Sequence, residues 1–125
     1  MAARILKGRE ASAADTRELH EQRAAVIDRE TRDWDALAMP TVPIIAPLLS
    51  AFESDAEYTR LNVLVLRNPS LVNFLDRCAI SLPIHDHAAA PVGLMLVGAR
   101  NGDGRLLRIA HAIERALPTV SRTRP

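Results

Sequence analysis

Val92-Gly93-Leu94-Met95-Leu96-Val97-Gly98 is apolar at every position rather than alternating. A strand with one wet face alternates with a period of two, so an unbroken apolar run predicts a strand covered on both faces. After it, Asn101-Gly102-Asp103-Gly104 reads as a turn, and apolar residues recur at Leu106, Ile109, Ala110, Ile113 and Leu117. That spacing predicts the clearest amphipathic helix in the chain, stopped by Pro118. A covered strand feeding an amphipathic helix points to an α/β architecture.

Working upstream, Ala79-Ile80-Ser81-Leu82 is a second short strand ended by Pro83. Before it, residues 55 to 67 carry Tyr58, Leu61, Val65 and Leu66 near helical spacing. Asn68-Pro69-Ser70 is expected to break that helix, with Ser70 capping a separate short one through Arg77. Ala36-Leu37-Ala38-Met39 predicts a third strand, and Pro40, Pro43 and Pro47 make the stretch after it an extended loop. A long, mostly solvated helix is expected over 13 to 31, with Ser12 as its cap. Three short strands with a central-looking last one leave neighbours and a second face to be supplied, by self-association or by a part of the protein lying upstream.

The 125 residues fit one domain. Only four residues are aromatic, so Ala, Leu, Val and Ile must build the core. Net charge is +1, and the Arg residues are interleaved with acids, which argues against nucleic acid as a partner. The single Cys78 excludes an internal disulfide and fits a reducing, cytoplasmic setting. No apolar run approaches the roughly 18 residues needed to cross a bilayer, so no membrane partner is expected.

Several of these segments share a pattern. Asp35-Ala36-Leu37-Ala38-Met39-Pro40-Thr41-Val42-Pro43, with Ala46-Pro47 after it, resembles the Asp-x-hydrophobic strand and Pro-Thr-x-Pro of the amidase-signature family. Asn73 ahead of Ala79-Ile80-Ser81-Leu82-Pro83 is similar to that family's Asn turn before a Ser-x-Pro strand. Pro91 through Gly98 resembles its Pro-Val-Gly-Leu strand, and Asp103, Leu106-Leu107, Ile109-Ala110 and Glu114 fit the helix that closes it. The resemblance runs from about Arg4 to Leu117. It implies the C-terminal part of an amidase fold over 1–118, whose strands extend a mixed sheet flanked by helices. Residues 119–125 are read as a basic, disordered tail. Asn73-Phe74-Leu75-Asp76-Arg77-Cys78 replaces the Gly and Pro that many members carry after the Asn. That wording is closer to the branch of allophanate hydrolases and biuret-pathway amidases than to subunits serving tRNA-linked amidation.

The resemblance also implies a reaction, hydrolysis of an amide carbon–nitrogen bond by a Lys–Ser–Ser arrangement set in a Gly/Ser-rich stretch. This sequence holds no Ser-Ser pair and no Gly/Ser-rich loop. Lys7, the only lysine, sits in a polar setting unlike that of a buried base. No catalytic residue is therefore assigned, and the chain is expected to be inactive alone, from a truncated or split gene. The alternatives are a non-catalytic interaction module and a subunit completing a split amidase, with a missing N-terminal half as partner. Substrate-lining candidates are Thr41 and Ser81, polar residues at strand ends, and Asn73 and Asp76 beside the Asn turn.

His85-Asp86-His87 could offer metal ligands, but alternating residues on an extended loop point apart, and a polar loop is the plainer reading. Cys78 beside an apolar strand reads as an inert thiol rather than a nucleophile. No metal or organic cofactor is implied.

Overall fold

The computed structural model describes residues 13–52, 54–85 and 89–117. The elements in chain order are helix α1 (Ala13–Thr31), strand β1 (Leu37–Pro40), a 3-10 turn (Leu49–Phe52), helix α2 (Asp55–Phe74), strands β2 (Ala79–Pro83) and β3 (Gly93–Val97), and helix α3 (Asp103–Ala116). Lys7, the Ser12 cap, Asp86, His87 and the basic tail lie outside the described residues.

The all-apolar strand is the central one. The sheet order is β1-β3-β2, with Met39 opposite Met95 on one side and Ser81 opposite Met95 on the other. Both ladders are antiparallel, so any parallel pairing of a mixed sheet would have to come from strands beyond these three. Alternation along β3 sends Leu94 and Leu96 to one face and Met95 and Val97 to the other. Leu96, at 2% exposure, packs with Leu82 and with Leu106 and Ala110 of α3. Met95 and Val97 pack with Val72 of α2 and with Leu37 and Met39. Both faces of β3 are thus covered by helices, as its composition requires.

One expectation fails. The helix does not break at Asn68-Pro69 but runs unbroken through Pro69 to Phe74. Proline inside a helix forfeits a backbone hydrogen bond and costs about 3 kcal/mol. Two tertiary terms offset it. Leu61 and Val72, three turns apart on one face, are both buried, and each such side chain is worth roughly 1.5–3 kcal/mol. The Asn68 Nδ2 also donates to the Pro40 carbonyl at 2.8 Å, tying the helix to the end of β1. The cap is accordingly Ser54, whose hydroxyl accepts from the Glu57 amide at 3.3 Å, while Ser70 lies mid-helix.

Helix α2 ends in a Schellman motif. The Arg77 amide donates to the Val72 carbonyl at 3.3 Å and the Asp76 amide to that of Asn73 at 3.2 Å. Asp76 takes the left-handed position, φ 53°, where glycine is usual. Helix α1 packs against this end through its buried Ala24 side and a tilted contact of His20 with Phe74, their ring centroids 4.7 Å apart. Asp103 and Gly104, expected in the turn, open α3 instead. Among the described residues no helix is long and apolar enough to cross a membrane.

Candidate functional site

The four expected lining residues fall into two pairs at opposite ends of the sheet. Thr41 follows β1, and its amide donates to the Gly93 carbonyl at 2.9 Å, extending the ladder by one residue. Ser81, opposite Met95, stands diagonally across β3 from it, two residues along from Gly93. The two hydroxyls meet at 2.5 Å, bridging residues 40 apart in sequence. They meet because Gly93 lies between them and carries no side chain. A Cβ there would stand 2.5 Å from the Thr41 Oγ1 and 2.6 Å from the Ser81 Oγ. A lone glycine in an apolar strand signals such a close approach, and Gly93 is the residue that sequence reasoning left out of the site.

The pair lies on an open part of the sheet. Along β2, Leu82 is buried and Ile80 half-buried against α3, while Ala79, Ser81 and Pro83 on the other face are exposed. Helix α2 covers that face only over β1 and β3. A hydroxyl pair at the edge of an uncovered sheet face offers donors and acceptors to whatever lies against it.

Asn73 and Asp76 sit at the far end, where α2 stops. Four residues of β3 separate the two ends, about 13 Å. Asp76 pairs with Arg100 at 3.5 Å, and both side chains are solvent-accessible. Its left-handed backbone and its place in the helix cap give Asp76 a local structural role.

Near that end lies an open cleft of about 260 Å³, between the end of α1, the start of β1, the end of β3 and the start of α3. None of the four expected residues lines it. Arg77 does, and its side chain is only 5% exposed, held by Asp28 of α1 at 2.9 Å. Arg105 of α3 reaches Asp35 across the same cleft. Pairs separated by 49 and 70 residues leave no local signal in the sequence.

The two weighed alternatives have local explanations. The Nδ1 of His85 lies 3.1 Å from both the amide and the carbonyl of Val92, closing the loop before β3. The half-buried Cys78 thiol donates to the Ala99 carbonyl at 3.1 Å.

Comparison with known proteins bears on the whole chain. Residues 1–107 match the family model described as Amidase. The 2-amino-5-chloromuconic acid deaminase of Comamonas testosteroni is 36% identical over 83 residues, 66% of this chain and 18% of its own length. A fatty acid amide hydrolase of Oryza sativa is 35% identical over 83 residues, 64% of this chain and 14% of its own length. The crystal structure of a glutamyl-tRNA(Gln) amidotransferase subunit from Thermotoga maritima superposes with a TM-score of 0.62 at 26% identity, over 94% of this chain and 27% of that one. This chain therefore spans less than a fifth of these two curated relatives and about a quarter of the solved subunit.

Proposed function

This chain belongs to the amidase family, and from that premise we propose that it is the C-terminal part of an amide-hydrolysing fold, inactive until a Lys–Ser–Ser segment joins it. The observation that carries this reading is the superposition of nearly the whole chain on a quarter of one solved relative. A contribution of that size supplies a wall, while the nucleophile and base belong to the remainder. The reaction of the assembled enzyme is attack of a serine hydroxyl on an amide carbonyl, with the bridging serine and neutral lysine moving the proton. The carbon–nitrogen bond breaks, ammonia or an amine leaves, and water then hydrolyses the acyl ester to free the acid and restore the serine.

Within that assembly, Thr41 and Ser81 are the chain's contribution to the substrate wall, supported by their pairing on an uncovered face. Asn73 and Asp76 take a second, more distant place in it. The relatives' own names concern a muconic acid, a tRNA amidotransferase and fatty acid amides, so the shared region does not itself specify the substrate. The finer placement, toward allophanate and biuret-type amides, is supported by the run Asn73 to Cys78. The single half-buried thiol is compatible with a cytoplasmic setting.

A second reading, a non-catalytic module that docks on a partner or on its own copy, is favoured by one feature. Both β1 and β2 are outer strands with no further neighbour among the described residues. Ammonia release from a panel of small amides, biuret-type compounds included, separates the readings. The folded chain alone is expected to release none, and release is expected on mixing with an amidase half bearing the lysine and serines. Release by the chain alone, lost on replacing a serine or lysine of its own, would overturn the reading. Size-exclusion co-elution with that half distinguishes a completing subunit from a free-standing module.

A further inference from the structure

We propose that the free edge of β2 pairs with β2 of a second copy of this chain, antiparallel and centred on Ser81, so that the two sheets join. Hydrogen bonds already made fix which way each backbone group of the sheet points. The Ile84 amide donates to the Val92 carbonyl at 3.1 Å, and the Gly98 amide to the Cys78 carbonyl at 2.9 Å. Bonded residues alternate along an antiparallel ladder, so the even-numbered residues of β2 turn their amides and carbonyls toward β3. Ala79, Ser81 and Pro83 turn theirs outward, where no strand is bonded among the described residues. The outer side of β1 is different. Thr41 bonds inward to Gly93, which leaves Ala38 and Pro40 facing out. Pro40 has no amide proton, and its carbonyl is occupied by the Asn68 Nδ2 at 2.8 Å. The β1 edge is thus blunted, and the β2 edge is open.

The composition of β2 points to its own copy as the occupant. Edge strands are ordinarily protected by charge, proline or a bulge. Strand β2 reads Ala-Ile-Ser-Leu-Pro, with no charge, no bulge in its pairing with β3 and a proline only at its last position. That run is complementary to itself. With Ser81 opposite its own counterpart, Ala79 stands opposite Pro83 and Ile80 opposite Leu82. The outward amides of Ala79 and Ser81 then donate to the carbonyls of Pro83 and Ser81 in the other copy, and the reverse holds by symmetry. Every outward donor of both strands is satisfied, and proline falls where only the Ala79 carbonyl goes without a bond. Side chains agree with this alignment. Ile80 and Leu82 belong to the core under α3, and they meet each other across the junction, so apolar surface continues from one sheet to the next. No like charges are brought together. The edge is only about 17 Å long, too short to bury the roughly 800 Å² per partner of a stable interface, so the pair is weak and concentration-dependent. This pairing deepens the reading of the chain as a docking module and rests on its open edge alone. Ammonia release therefore tests the amidase reading, and association state tests this one.

Sedimentation equilibrium of the full chain should show the mass rising from the 13.7 kDa of one chain toward that of a pair as concentration increases. Ala79→Pro removes an outward amide at the first residue of β2, where proline is tolerated, and leaves the bonds to β3 in place. It should raise the dissociation constant at least about tenfold. Ala38→Pro removes an outward amide from β1 instead and should leave association unchanged. Far-UV circular dichroism checks that both variants fold. The alignment is read separately. Residues of a directly bonded antiparallel pair have Cα atoms about 5.5 Å apart, within reach of a disulfide. Ser81→Cys should therefore give a covalent dimer on mild oxidation with oxidised glutathione. Ala79→Cys should give none, since its counterpart lies about 14 Å along the strand. The parent chain, with its half-buried Cys78, is the control. If Ala79→Pro does not fold, the cross-linking pair carries the test. A chain that is monomeric at every concentration, association of Ala79→Pro as tight as the parent, or cross-linking no better through Ser81→Cys than through Ala79→Cys, would overturn the proposal.

Discussion

Gly93→Ala tests whether the hydroxyl pair is built into the fold. The backbone permits alanine, since no described glycine has positive φ. Replacing glycine at such a site stabilises by about 0.4–1 kcal/mol through the unfolded chain. Against this, the new Cβ would stand 2.5 Å from the Thr41 Oγ1, 2.6 Å from the Ser81 Oγ and 3.2 Å from the Thr41 Cβ. Ser81 can rotate away cheaply. Thr41 cannot, because it is β-branched and its own Cβ is also in the way. Separating the hydroxyls forfeits about 1 kcal/mol of hydrogen bond, and forcing Thr41 off its rotamer costs about 0.5–1.5 kcal/mol more. The net expectation is a loss of about 0.5–2 kcal/mol. It would be read as a lower urea midpoint at unchanged slope by far-UV circular dichroism. Ser81→Ala removes one hydroxyl and lets Thr41 turn toward the vacated space, so Gly93→Ala should cost close to nothing in that background. A variant as stable as the parent, or a coupling below about 0.5 kcal/mol in the double-mutant cycle, would refute the reasoning.

Leu96→Ala empties the centre of the core between β3 and α3 and should cost about 2–5 kcal/mol, a large share of the roughly 5–15 kcal/mol that holds a domain folded; a lower thermal midpoint checks it. Asp76→Gly places the preferred residue in the left-handed cap position and should raise stability by about 0.5–1 kcal/mol, less whatever its solvated pair with Arg100 contributes; a lower midpoint would show that the carboxylate outweighs the backbone. Asp28→Asn leaves the buried Arg77 without its charged partner and should cost about 1–3 kcal/mol, measured by urea unfolding.

The sheet is legible where composition alone decides it. An apolar run with no alternation has to be covered twice, and Gly93–Val97 is indeed the middle strand. The three strands lie within a residue of where the prolines and apolar runs predict, and α1 ends at Thr31 as expected. The unbroken helix at Pro69 has a definite origin. A local rule, that proline breaks a helix, meets a tertiary term invisible in the sequence: the burial of Val72 beneath β3 and the bond from Asn68 to Pro40. The site is legible as residue types and not as geometry. Thr41 and Ser81 stand out as strand-end polar residues, but that they touch depends on β3 threading between two strands that are not its sequence neighbours on both sides. The arginine cleft is not legible at all, because Arg77 and Arg105 find their acids 49 and 70 residues away.

The two ends of β3 are chemically unlike. Toward the Gly93 end, Ser81 and Pro83 lie exposed on the bare half-face of an outer strand. Apolar and hydroxyl surface of that kind gains from being covered by a second lobe. At the Val97 end, an open cleft is lined from α1, β1, β3 and α3. The two ends lie about 13 Å apart along the strand and share no hydrogen bond, so changes at one should add to changes at the other within about 0.5 kcal/mol. The double variant Gly93→Ala/Asp28→Asn should therefore lose the sum of the two single losses to within about 0.5 kcal/mol by urea unfolding. A larger departure from additivity would mean that the sheet transmits strain from one end to the other.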